Sequence, residues 1–159
     1  MKNIYQVLSQ LCIDYKKYDH PAVFTVEESK KIKANIPGAS TKNLFLRNKK
    51  KTNYYLVCLL AEKKVDLKVL AERLNEDRFS FGSPADLKAR LDLTPGSVSP
   101  FGLINDRANQ VKVVVDRDFD KFKQVGFHPN DNQATVVLAV SDFEKFLGQT
   151  GNQIIYQDI

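Results

Sequence analysis

Residues 93–106 carry Pro95, Gly96, Pro100 and Gly102 within eight positions. Proline fixes φ and removes an amide donor, while glycine admits positive φ and lets a ligand approach the backbone. A chain bent this tightly can aim amides and carbonyls at a bound group. It can equally be a turn that delivers the chain to its next strand. Lys42, in Thr41-Lys42-Asn43, stands at the entry to an apolar run. Its ammonium is either solvent-facing or a compact point charge for an anionic oxygen. Asn43 is either a turn residue or a hydrogen-bonding group for a ligand. His20 and His128 each precede a proline, which biases their backbones toward extended conformations. His20 reads as structural. His128 reads as a satisfied structural ring or as part of a pocket, with Asn132 in support.

No familiar hydrolytic constellation accompanies these residues. The chain has no G-x-S-x-G elbow, no P-loop, no H-E-x-x-H and no C-x-x-C. Its two histidines and two cysteines lack ligand spacing, which argues against a zinc site. Cys12 and Cys58 each lie in an apolar run, and buried reduced thiols are expected rather than a bridge. A Cys58–His128 nucleophile and base is open on sequence alone. A thiol in a Leu/Val-rich strand is more often inert core.

The elements that must position these groups are legible in outline. Ile4, Val7, Leu8 and Leu11 recur at helical spacing behind Asn3, an N-cap residue type. A strand is expected near residues 15–18. Thr25-Val26-Glu27-Glu28 has the capping-box pattern and opens a second helix. Residues 43–47 and 53–60 read as strands around a basic turn. Asp66 heads a helix with Leu67, Leu70, Ala71 and Leu74 on one face. Residues 79–81 read as a short strand, and Ser83-Pro84 opens a helix with proline in its first turn. Residues 111–115 and 134–140 are β-rich. Ser141-Asp142-Phe143-Glu144 repeats the capping-box pattern and should start a short helix. This irregular interleaving predicts an α+β fold, with a mixed, strongly curved sheet and helices around it.

At 159 residues, one domain over 1–159 is the natural reading. Apolar content of 43% and charged content of 27% suit a globule with an ordinary core. No run suggests a membrane span and the N-terminus lacks a signal-peptide pattern, so the cytoplasm is expected. The net charge of +5 is mild. Its distribution says more. Arg47, Lys49, Lys50 and Lys51 form one cluster, and Lys30, Lys31 and Lys33 another. The first is either a solvated loop tip or a site for nucleic-acid phosphates. The second is either a polar helix face or a further phosphate surface.

Several blocks together carry a resemblance. Gly96-Ser97-Val98-Ser99-Pro100 is similar to the G-x-x-x-P loop of the YbaK/ProX superfamily of aminoacyl-tRNA editing domains. Residues 18–28 resemble the family's first strand and helix start, and residues 38–47 the strand bearing its essential lysine. His128-Pro129-Asn130-Asp131-Asn132-Gln133-Ala134-Thr135 resembles its H-P-x-x-N-x-A-T block. The last block, with Thr41-Lys42-Asn43, points to the free-standing alanyl-tRNA(Pro) deacylases. The resemblance implies hydrolysis of an aminoacyl ester on tRNA, with alanine on tRNA(Pro) as the expected substrate. It implies catalytic roles for Lys42 and Gly96. Asn43, Ser97, Val98, Ser99, Pro100, His128 and Asn132 are the expected substrate contacts. Arg47 and Lys49–Lys51 are the candidate tRNA contacts, and prolyl-tRNA synthetase is a further candidate partner. No metal or organic cofactor is implied. A neighbouring ribose hydroxyl would help activate water, so the enzyme would mainly position the ester and stabilise charge. A deacylase for Cys- or Ser-charged tRNA, or a noncatalytic tRNA-binding module, are the alternatives.

Overall fold

The computed structural model describes residues 3–22 and 25–159. Val23 and Phe24, within the segment likened to a first strand and helix start, lie outside the described residues. Helix α1 (Ile4–Gln10) begins where Asn3 accepts a hydrogen bond from the Tyr5 amide at 2.8 Å. Helix α2 (Val26–Lys33) follows Thr25, whose hydroxyl accepts from the Glu28 amide at 3.1 Å. Asp66 caps α3 (Leu67–Arg73), and a Ser83–Asp86 capping box opens α4 (Pro84–Leu91). Helix α5 (Val140–Thr150) departs from expectation. It starts directly from the preceding strand, with Ala139 at the cap position and no side-chain cap. Its buried Val140, Phe143, Phe146 and Leu147 supply tertiary packing in place of the expected Ser141 box.

Among the described residues, eight strands follow in chain order: β1 (Tyr15–Asp19), β2 (Thr41–Asn48), β3 (Tyr54–Leu60), β4 (Phe79–Phe81), β5 (Val111–Asp116), β6 (Gln124–Phe127), β7 (Ala134–Ala139) and β8 (Ile154–Gln157). A mixed sheet has the order β4-β2-β3-β5-β8, antiparallel at β2 and parallel from β3 to β8. An antiparallel sheet has the order β1-β7-β6. The α+β class and the mixed sheet are borne out, and the strands divide between two sheets. Strands β6 and β8 and two 3-10 segments, Pro100–Asn105 and Arg117–Lys121, were not expected from sequence.

Strand β3 is buried along its whole length, as a central strand covered on both faces must be. Leu56, Cys58 and Leu60 enter one core cluster, while Tyr55, Val57 and Leu59 enter the other. Cys58 is fully buried, and burial pushes its thiol pKa up, so it is packing rather than nucleophile. Cys12 corrects the sequence reading. It is exposed, at φ +57° just after α1.

The two sheets meet at a seam. Ala39 donates to the Gln124 carbonyl at 2.9 Å and accepts from Gly126 at 3.2 Å. The Thr41 hydroxyl donates to the Gly126 carbonyl at 2.6 Å. Gly38 has φ +87°, and a Cβ there would lie 3.0 Å from the Gln124 carbonyl oxygen. Only glycine meets both demands.

Beyond β3, the turn through Lys63 is fastened to β5. The buried Asp116 carboxylate accepts from the Leu60 amide at 3.2 Å, the Asp118 amide at 2.9 Å and Lys63 Nζ at 2.8 Å. Asp116→Ala would leave Lys63 without its buried partner and the Leu60 amide unpaired. A loss of about 2–4 kcal/mol is expected in urea unfolding. A variant as stable as the parent would contradict the anchoring role.

Candidate active site

The seam opens into a cleft of about 730 Å³. Lys42 reaches it from β2, Gly96 from the Gly-Pro loop, and His128 and Asn132 from the β6–β7 connection. A Cβ built on Gly96 would lie 4.0 Å from Asn132 Nδ2, with nothing else within that distance. The loop and the histidine block, 32 residues apart, therefore face each other. The structure shows open space beside Gly96, and φ +93° is the constraint that demands glycine.

Lys42 is half-buried, and its ammonium donates to the Lys63 carbonyl. The Asp116 anchor thus fixes the carbonyl that holds Lys42. A second lysine stands beside it. Lys33 Nζ donates to the Thr41 carbonyl at 3.1 Å. Burial, and then the Lys42 charge, lower the Lys33 pKa. The sequence left Lys33 open between a polar helix face and a phosphate surface, and the structure places it in the cleft wall. With Lys30, three lysines line the cleft against one described carboxylate, Glu62.

A small recess adjoins the cleft. Its space of about 20 Å³ is room for one water-sized group. Lys33, Gly38, Ala39, Ser40 and His128 border both spaces, and Asn43 and Thr135 line the recess alone. Alternation along β2 explains the split, since Thr41 and Asn43 face the recess and Lys42 faces the cleft. Asn43 donates from Nδ2 to the Val98 carbonyl at 3.3 Å, and its Oδ1 is buried with no partner.

His128 Nδ1 donates to the Ala134 carbonyl at 3.0 Å, which leaves Nε2 as the lone-pair nitrogen of the neutral ring. His20 is structural, as expected. Its Nδ1 donates to the Pro21 carbonyl at 2.9 Å, and its Nε2 lies 3.0 Å from the Thr135 hydroxyl.

Other expected contacts are relocated. Ser99 is fully buried, and its hydroxyl accepts from the Phe101 amide at 3.2 Å. Pro100 is buried at the start of the following 3-10 segment, and Ser97 is buried as well. Ser97, Ser99 and Pro100 therefore shape the loop from behind, and Val98 acts through the carbonyl that holds Asn43. Arg47 is engaged within the fold. Its guanidinium pairs with Asp86 at 2.6 Å, in a network with Tyr54 and with Arg90, which stacks 3.5 Å from the Tyr54 ring. Lys49, Lys50 and Lys51 are exposed in the β2–β3 turn. They lie beyond the far end of β2, roughly 20 Å from Lys42 at strand rise. Sequence reasoning missed Phe122, which is 40% exposed and lines the cleft. Its one signal is Lys121-Phe122-Lys123, an aromatic ring between two cations.

A family model described as the aminoacyl-tRNA editing domain matches residues 20–146. The chain belongs to this family. The editing domain is 42% identical over 145 residues to the prolyl-tRNA editing protein ProX of Acetoanaerobium sticklandii, covering 91% of this chain and 88% of that one. It is 36% identical over 154 residues to the bovine prolyl-tRNA synthetase associated domain-containing protein 1, covering 94% and 90%. Its fold matches the crystal structure of the hypothetical protein APE2540 at a TM-score of 0.76 and 13% identity, over 98% of both chains. It also matches a candidate trans-editing enzyme for prolyl tRNA synthetase at 0.71 and 16%, over 98% of this chain and 94% of that one. No helix among the described residues is long and apolar enough to cross a membrane.

His128 gives this editing domain a pH signature. Burial holds the imidazole below its ordinary 6.5, and the Lys33 charge acts in the same direction. Below about pH 6.5 the unfolded ring takes up a proton that the folded ring refuses, so stability falls as pH drops toward the folded pKa. Between about pH 7 and about pH 5 the parent should lose more stability than His128→Gln. Chemical denaturation across that range checks this, and equal pH slopes would contradict it.

Proposed function

We propose that the protein is a trans-acting deacylase that hydrolyses alanine mischarged on tRNA(Pro). The observation that carries the reading is the recess of about 20 Å³ that adjoins the cleft lined by Lys42 and Gly96. A recess this narrow favours a methyl group over the bulkier pyrrolidine ring. The biological need follows from the same arithmetic. A synthetic site shaped for proline gains only about 1–3 kcal/mol per missing methylene against a smaller amino acid. A second, smaller site must remove the error.

The ester is already activated, so positioning and charge stabilisation are sufficient roles for the protein. Alanine's methyl enters the recess. Its α-ammonium donates to Asn43 Oδ1, the buried acceptor left without a partner. The carbonyl lies between Lys42 and the Gly96 backbone. Water, activated with help from the neighbouring ribose hydroxyl, adds to the carbonyl carbon, and negative charge develops on its oxygen. The Lys42 ammonium stabilises that charge. The ester C–O bond then breaks and the ribose oxygen takes the proton, releasing alanine and uncharged tRNA. Cleft lysines and the Lys49–Lys51 turn meet backbone phosphates. The names of the relatives support prolyl-tRNA synthetase as a partner, and the reading places the protein in the cytoplasm with charged tRNA.

Single-turnover hydrolysis of Ala-, Cys-, Ser- and Pro-tRNA(Pro) tests the proposal. The parent should favour Ala-tRNA(Pro), and Lys42→Ala should slow it about 100-fold or more with little change in melting temperature. Near-parental hydrolysis by a folded Lys42→Ala would remove Lys42 from the mechanism. A preference for Cys- or Ser-tRNA(Pro) would reassign the substrate.

Replacing Lys49, Lys50 and Lys51 together by Ala should weaken tRNA binding without changing amino-acid choice. Each lost phosphate contact lowers the slope of log affinity against log salt by about 0.7–0.9. Titrations over a salt series check this. An unchanged slope would make the turn a solvated tip.

A further inference from the structure

The recess accounts for alanine, and the cleft beside it is far larger than an amino acid needs. At about 730 Å³ it lies in the range of sites that take a nucleoside-sized ligand. One feature of its wall is unexplained by ester chemistry. Phe122 is one of few large apolar side chains left exposed, and it faces the cleft.

Its backbone is held from both sides. The Phe122 amide donates to the Phe119 carbonyl at 3.0 Å, and Phe119 is buried in the core against Phe127 and Phe143. The next residue, Lys123, accepts from the Val140 amide at 2.9 Å. Upstream, Asp116 caps the 3-10 segment that delivers the ring. An apolar ring held in water on a fixed backbone has a hydration cost that a flat partner would relieve.

The charge around it narrows the partner. Lys121 and Lys123 flank the ring in sequence, and Lys30 and Lys33 line the same cleft. The nearby Asp118 carboxylate is paired with Lys63 at 2.7 Å and with Lys121 at 3.2 Å. An exposed aromatic among cations is the arrangement that binds single-stranded nucleic acid, with base on ring and phosphate on ammonium. A purely apolar partner would desolvate the Lys30 and Lys33 ammoniums of the cleft without supplying a counter-charge.

We infer that Phe122 is the stacking platform for the 3′-terminal adenine of the acceptor end. The inference rests on the deacylase reading for its ligand, since the ester is carried on the ribose of that nucleotide. With the methyl in the recess and the carbonyl at Lys42, the base must lie within one nucleoside of the ester. The ring fixes the ribose relative to Lys42 and Gly96, and it recognises the π-face of the base.

The test uses two alanylated minihelices that differ only at the last residue, adenosine in one and an abasic ribose in the other. The parent should hydrolyse the adenosine-ended ester about 10- to 100-fold faster in kcat/KM, the range that base–aromatic stacking supplies. Phe122→Ala should hydrolyse both at the parent's abasic rate, with an unchanged melting temperature. Phe122→Trp should restore the preference. The chain contains no other tryptophan, so that indole is a sole reporter. Its fluorescence should be quenched by the uncharged adenosine-ended minihelix and not by the abasic one. A parent that treats both esters alike, or a Phe122→Ala variant that keeps the preference, would overturn the inference and leave the deacylase reading standing. A parent that cleaves neither ester would overturn that reading, and the quench comparison would still decide whether the ring meets the base.

Discussion

Everything at the site depends on one close approach, the seam where the start of β2 meets β6. Ala39 exchanges two backbone hydrogen bonds with Gln124 and Gly126, and Thr41 adds a third from its hydroxyl. The approach tolerates little bulk. A Cβ at Gly126 would lie 3.0 Å from the Thr135 methyl, and one at Gly38 would meet the Gln124 carbonyl at the same distance. The same contact that joins the sheets limits the recess between them. Recess size is therefore set by backbone hydrogen bonds, which are harder to deform than a ring of side chains.

Chemistry is divided across that seam. On one side the cleft carries Lys30, Lys33 and Lys42, a positive surface suited to phosphates and to a developing oxyanion. On the other side the recess is nearly neutral, with an unpartnered Asn43 oxygen and a His128 ring that burial keeps uncharged. Lys33 borders both spaces and is itself partly desolvated beside Lys42. Two ammonium groups this close raise the electrostatic cost of the empty site, and an anionic ligand lowers it. Supporting residues lie one layer back. Asp116 holds Lys63, whose carbonyl holds Lys42, and Val98 holds Asn43. Buried Ser99 shapes the glycine loop.

Local signals in the sequence foretold local structure. Asn3, Thr25, Asp66 and Ser83 each cap the helix that their residue type announces. Strand β3 was visible because seven apolar residues run without interruption. The Ser141 pattern misled because α5 leaves β7 without a turn, and its anchor is Phe143 and Phe146 in the core. Strands β6 and β8 are only four residues long, and pairing with β7 and β5 makes them strands. The glycine loop, Lys42 and His128 stood out through resemblance, and the fold brings them to one cleft. Lys33 stood out only as one member of a basic cluster, and Phe122 did not stand out. Nothing in a lysine-rich helix or a Lys-Phe-Lys triplet says which side chain turns inward, because tertiary placement alone decides it.

The central claim is that a recess built by backbone contacts selects the amino acid by size. A homologous series on one tRNA(Pro), charged with glycine, alanine, 2-aminobutyrate or proline, measures this most directly through kcat/KM for deacylation. Alanine should be released fastest, 2-aminobutyrate more slowly, and proline at least about 100-fold more slowly than alanine. Proline released as fast as alanine would contradict the account, because a recess that selects by size must disfavour the larger ring.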